Sequence, residues 1–230
     1  MTTAERLTTI AENQQKVFDA GKKSERDTFW DAYQQNGTRV NYSYAFSYGW
    51  STDSFKPKYD ITPTGTATSM FQAMKFAGDL SQRFEDCGVT LDLSKVTSLH
   101  SLFNSASQIT RVPEINITGA GAACSGTFAY CGKLVTVDKF VVTETSVFTS
   151  SFINCRSLVN LTMDGVIGAS IDLSPCPLSK DSVLSVFNAL STTKTGQTAT
   201  FNKTAKEAAF TDAEWESLKA TKTNWTIALA

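Results

Sequence analysis

A ten-residue frame built on phenylalanine recurs through the middle of the chain and constrains the fold more than any other feature. Phe103 is followed at steps of three by Ala106, Ile109 and Val112, Phe128 by Cys131, Leu134 and Val137, and Phe152 by Cys155, Leu158 and Leu161. Leu99, Cys124 and Phe148 stand four residues ahead of these phenylalanines and are also apolar. The phenylalanines lie 25 and then 24 residues apart. Such a period marks a solenoid, in which each unit buries its apolar face only by stacking on the next.

Each unit has two parts. The step of three suits a tight helical turn, where residues i and i+3 share a side. A short β-branched run follows, Ile115-Asn116-Ile117 and then Phe140-Val141-Val142, which fits one short strand per unit. Gly119, Gly121, Gly132, Gly165 and Gly168 fall between the pieces, where a coil must bend. Upstream, Phe71 carries the same ladder through Met74, Ala77 and Leu80. Its strand would be Leu91-Asp92-Leu93, after an insertion through Phe84 and Cys87, and Ile171-Asp172-Leu173 fits a last strand. The expected repeat core is Phe71, Phe103, Phe128, Phe152, Cys131 and Cys155, with Phe103, Phe128 and Phe152 stacked in one buried column.

These residues carry a resemblance. "TFAYCGKLVTV" and "SFINCRSLVNL" are similar to the F-x-x-C-x-x-L core of the BspA-like leucine-rich-repeat family, and "VPEINI" resembles its linking strand. "LSKDSVLSVFNAL", "TATFNKTA", "FTDAEWESL" and "NWTIALA" resemble the C-terminal cap of phage- and bacterium-encoded members, and "AENQQKVFDAGKKSE" their lead-in. The pattern departs from the family where Ala106 replaces the cysteine and where the first unit has its insertion. The resemblance implies an α/β fold, a leucine-rich-repeat-like solenoid with about 24-residue coils, an N-terminal helix and an α+β C-terminal cap. It also implies a non-catalytic role in binding at cell or virion surfaces.

Taken in order, the expected organisation is an N-terminal helix over 1–35, an aromatic cap over 36–66, the solenoid over 67–177 and a C-terminal cap over 178–230. In the first stretch, Thr2-x-x-Glu5 has the form of a capping box, and Leu7, Ile10, Gln14 and Val17 follow heptad spacing. That seam either leans on the protein's own body or forms a short stem that docks on a partner or another copy. In the second, Tyr42, Tyr44, Phe46 and Tyr48 alternate as an edge-covering strand would. Those rings serve either as a cap over the open core or as a carbohydrate-stacking platform. In the last, Ser179 is expected to cap a helix reaching Leu190, with Val183, Val186, Phe187 and Leu190 on one face. Thr198–Phe201 and Trp225–Leu229 read as strands, and Thr211-x-x-Glu214 as a capping box that opens another helix. Strand, helix, strand predicts a parallel pair.

Composition narrows the function. A formal net charge of −1 gives no basic footprint for nucleic acid. No run of eighteen apolar residues offers a membrane span, and "MTTAERLTTIAENQQ" lacks the basic start and apolar core of a secretory signal. That favours a virion protein released by lysis over an adhesin exported by the general route. The five cysteines are odd in number, and two of them hold equivalent ladder positions, which argues for packed thiols rather than a disulfide framework. Cys131 and Cys155 would nonetheless lie on adjacent coils at a bridgeable distance.

Catalytic chemistry is sought and not found. His100, the single histidine, sits in a slot matched by Ser125 and Thr149, which points to a structural role. One histidine and no C-x-x-C pair exclude a multi-histidine or zinc-ribbon metal site. Gly21-Lys22-Lys23-Ser24 lacks the upstream glycine of a phosphate loop. The reading is therefore no enzyme, no cofactor and no metal. The expected partner is a virion protein or another copy through Leu7, Ile10, Gln14 and Val17, with a host surface protein or glycan as ligand. The expected setting is a phage virion, as a fibre, head decoration or tail appendage, and the alternative is a bacterial cell-surface adhesin.

Overall fold

A computed structural model describes residues 42–48, 50–53, 55–57, 59–118 and 123–230, all within one unit spanning Thr38–Ala230. Its first sheet is parallel throughout. It comprises β1 (Gly78–Asp79), β2 (Ile109–Val112), β3 (Ile115–Asn116), β4 (Thr136–Val142) and β5 (Asn160–Gly165). The long β4 carries β2 and β3 end to end along one edge, through Val112↔Val137 and Ile115↔Phe140. Its other edge pairs with β5 from Thr136↔Asn160 to Val142↔Gly165, with an irregularity between Val137 and Phe140. Helix α1 (Leu80–Cys87) follows β1 directly, capped by the Asp79 side chain on the Gln82 N–H and closed by Gly88 in the left-handed conformation.

The second sheet is also parallel, β6 (Ile171–Leu173), β7 (Gln197–Phe201) and β8 (Trp225–Leu229) in that order. Parallel neighbours need crossovers, and helices supply them. Helix α2 (Lys180–Ala189) joins β6 to β7, while α3 (Lys203–Ala209) and α4 (Asp212–Ala220) join β7 to β8. Phe187, Phe201 and Trp215 meet in the core with ring centroids 5.2, 5.5 and 5.7 Å apart. The Ser179 N-cap, the Thr211–Glu214 capping box, β6, β7 and β8 all stand where local sequence signals put them.

Helix α2 also ends the first sheet. The Leu161 N–H donates to Ser182 Oγ at 2.9 Å, and that hydroxyl donates to the Val159 carbonyl at 3.0 Å. The Met163 N–H and the Leu161 carbonyl use Ser185 Oγ in the same way, at 2.9 and 3.1 Å. Two serines on one helix face thus satisfy the backbone groups that a free edge strand would offer to another chain.

This architecture corrects the leucine-rich-repeat-like solenoid expected from the sequence. The protein is a mixed α/β fold with two separate parallel sheets and four α-helices among the described residues. Strands of the first sheet run from two to seven residues, so no uniform strand accompanies each phenylalanine frame. Leu91-Asp92-Leu93 forms no strand; Leu91 makes an isolated bridge to Ile61. The expected insertion through Phe84 and Cys87 is helix α1. Tyr42–Tyr48 is not a strand either, because Tyr44 and Tyr48 have φ of 60° and 56° and the segment turns. The physical reason is that the recurring frame dictates turns and ring stacking, and leaves strand length free.

Candidate functional site on the turn face

Side by side lie segments centred on Phe46, Phe71, Phe103, Phe128 and Phe152. The Phe46 N–H donates to the Met70 carbonyl at 2.8 Å, Phe71 to Leu102 at 2.8 Å, Phe103 to Thr127 at 2.8 Å and Phe128 to Ser151 at 2.9 Å. Between these bonds, alternate amides close turns within their own segment, such as Gln72 to Ser69 and Asn104 to Ser101, both at 3.1 Å. Half the amides therefore build the turn and half join it to the next segment, which leaves the ribbon's backbone satisfied. The rings stack with centroids 5.3, 5.0, 5.8 and 5.6 Å apart along the series.

Such turns require left-handed backbone two residues before and two after each central phenylalanine. Tyr44 and Tyr48, Ser69 and Ala73, Ser101 and Ser105, Gly126 and Tyr130, and Ser150 and Asn154 occupy those places, with φ between 50° and 65°. A Cβ on Gly126 would lie 3.3 Å from Ser101 Oγ, so the earlier position points at the preceding segment and keeps Ser69, Ser101 and Gly126 small. The later position tolerates large residues. Tyr48 is 56% exposed and Tyr130 49% exposed. A bulky residue at positive φ costs on the order of 1 kcal/mol, and an exposed ring gives nothing back by burial. Neither backbone ease nor core packing accounts for these tyrosines.

Tyr130 has a distinctive setting. Ser105 and Asn154 flank it in the same register column. Its own N–H donates to the carbonyl of Ile153, whose side chain is also exposed. Three residues on, Lys133 Nζ donates to Gln108 Oε1 at 2.7 Å, and in the next segment Arg156 donates to Asn154 Oδ1 at 3.1 Å. Both cations are exposed and bind amide oxygens rather than carboxylates. In lacking a carboxylate they resemble Lys75, Lys95 and Lys203, whereas other cations form ion pairs. Arg111 holds Asp138 at 2.6 Å, Lys139 holds Asp164 at 2.8 Å and Lys180 holds Glu214 at 2.8 Å. The Asp164 carboxyl is held below its ordinary range by a hydrogen bond from Lys139, and the Arg111 guanidinium is raised by the bond to Asp138.

A concavity of about 600 Å³ opens beside Glu144, between the ends of β4 and β5 and the loop after α2. The Ser191 and Thr193 hydroxyls donate to Glu144 Oε1 at 2.7 and 3.0 Å and hold its carboxyl low. These bonds tie the loop after β4 to the loop after α2, which is a structural joint.

The structure brings Phe71, Phe103, Phe128 and Phe152 into one buried column. Cys131 and Cys155 are buried free thiols that donate to the Phe103 and Phe128 carbonyls, each at 3.0 Å. Burial pushes the Cys155 thiol up to about 12 and Cys131 up as well. Leu7, Ile10, Gln14 and Val17 lie outside the described residues, as do Gly119 and Gly121. His100 is exposed, and its backbone joins the same network as its neighbours. Sequence reasoning missed Phe46, because Gly49 stands where its frame needs an apolar residue. It also passed over Tyr130, Lys133 and Arg156, which sit inside the quoted frames but face outward. Among the described residues no helix is long and apolar enough to cross a membrane, and no group of His, Cys, Asp or Glu is placed to hold a metal ion. No family model, curated protein or solved structure matches this chain.

Proposed function

We propose that this protein is a non-catalytic binding or structural module of a phage virion, a fibre, head decoration or tail appendage that contacts the host surface or another virion protein. The observation that carries the binding role is the exposed tyrosine set, Tyr44, Tyr48 and Tyr130, displayed on a turn face whose backbone is fixed by hydrogen bonds to neighbouring segments. Rigid aromatic side chains give large contact area at low entropic cost, which suits recognition. The virion setting rests on the sequence resemblance of the phenylalanine frames and C-terminal stretches. The same resemblance supports the second reading, a bacterial cell-surface adhesin. In either setting the seam of Leu7, Ile10, Gln14 and Val17 serves attachment to a partner or another copy.

The test is sedimentation of labelled full-length protein with bacterial cells, and with purified virions of the phage that encodes it. Binding to cells with antibody detection in the virion supports the first reading. Detection on the producing bacterium's own envelope supports the second. Hydrolysis of glycan, peptide or phosphate ester that is lost on His100→Ala would overturn both.

A further inference from the structure

The concavity beside Glu144 gathers a carboxylate, an amide, several hydroxyls and an exposed apolar side chain in one place. We infer that it binds a neutral saccharide. The site uses none of the exposed tyrosines and does not depend on the virion setting proposed above.

Size and walls come first. At about 600 Å³ the concavity falls within the roughly 300–1,000 Å³ of small-molecule sites. The loop after α2 is held in place by three side chains of the C-terminal region. Lys222 Nζ donates to the Leu190 carbonyl, and Asn224 Nδ2 and Trp225 Nε1 donate to the Ser191 carbonyl at 2.9 and 2.8 Å. Asn224 Nδ2 also donates to the Lys194 carbonyl at 2.6 Å. The chain after β5 lies hard against the loop after β4, since a Cβ on Gly168 would stand 2.1 Å from the Glu144 carbonyl oxygen. Walls fixed in advance leave little to order when a ligand enters.

The displayed groups come next. Ser191 and Thr193 both donate to Glu144 Oε1, which orients the carboxylate and holds it ionised. Among the described residues nothing donates to Glu144 Oε2, and the side chains of Asn188 and Thr192 have no hydrogen-bond partner. Free amides and hydroxyls are common on a protein surface. Here a single concavity sets them around an oriented carboxylate and beside the exposed Val166. A carboxylate oxygen accepts sugar hydroxyls in charge-assisted bonds, an amide both donates and accepts, and an apolar side chain packs on sugar C–H groups. Among the described residues no lysine, arginine or histidine lines the concavity, so an anionic ligand finds no cation there. Lys194 lies close enough to act on the Glu144 charge, which disfavours an amine. One carboxylate is too few for a calcium ion, whose sites draw on several oxygen ligands.

Titration calorimetry on the full-length protein decides it. Maltose, lactose and N,N′-diacetylchitobiose serve as neutral probes, protonated chitobiose as the cationic control and digalacturonate as the anionic control. Expected is binding of at least one neutral disaccharide, with little change as salt rises. Asn188→Ala combined with Thr192→Ala should weaken that binding about tenfold. Both positions are exposed and their side chains hold nothing in place, so the double variant should keep the parent's melting temperature. No binding of any neutral probe, unchanged affinity in the double variant, or tighter binding of chitobiose or digalacturonate would each overturn the inference.

Discussion

Phe128 shows what one residue does in this fold. Its ring lies 5.8 Å from Phe103 and 5.6 Å from Phe152, with Phe140 edge-on at 5.4 Å, and it is fully buried. Phe128→Ala should cost about 3–5 kcal/mol, the range for emptying a core aromatic site. Urea denaturation monitored by circular dichroism measures it, and a loss under about 1 kcal/mol would contradict a shared column. Cysteine at the frame's third step has its own reason. Its thiol reaches back to the phenylalanine carbonyl of the preceding segment, while Ala106, in the same frame position, packs without that bond. The aromatic pattern was legible because burial selects residue type. The exposure of Tyr130 was not, because an outward ring is chemically indistinguishable in sequence from an inward one.

Among the elements, α2 does most to define where the first sheet stops. Ser182→Ala leaves the Leu161 N–H and the Val159 carbonyl without their hydroxyl partner at a buried position. The expected loss is about 1–3 kcal/mol, read from thermal unfolding, and Ser182→Thr should recover part of it. Helix α4 carries a pH signature. A hydrogen bond from Lys180, then the Thr211 backbone and hydroxyl, hold the Glu214 carboxyl at about 2, against an ordinary 4.5. The folded value lies below the unfolded one. The contribution is therefore complete above about 4.5 and is lost as pH falls toward about 2. Glu214→Gln should flatten that part of the melting temperature–pH curve, and an unchanged slope would refute the role. Its capping box, like the Ser179 cap, was readable in advance because the signal lies within one turn of chain. Helix α1 was passed over as an insertion, since its cap at Asp79 directly follows a two-residue strand.

At the scale of the whole molecule, assembly bears most on the proposed role. If the Leu7, Ile10, Gln14 and Val17 seam joins copies, full-length protein should sediment as an oligomer at micromolar concentration, and deletion of residues 2–20 should give a folded monomer with an unchanged near-ultraviolet spectrum. A monomeric full-length chain would refute self-assembly through that seam. The sequence by itself determined that the Phe103, Phe128 and Phe152 ladders pack inward, though not the Phe71 ladder, where Ala77 is exposed, and it determined the positions of β6, β7 and β8 and the caps of α2 and α4, because hydrophobic period and capping chemistry act over a few neighbouring residues. Only the tertiary structure decided that there are two parallel sheets, that β2 and β3 share one edge of β4, and that serines of α2 close the edge at β5. Those outcomes depend on register between segments about 25 residues apart, and a residue's type does not encode which distant backbone group it will meet.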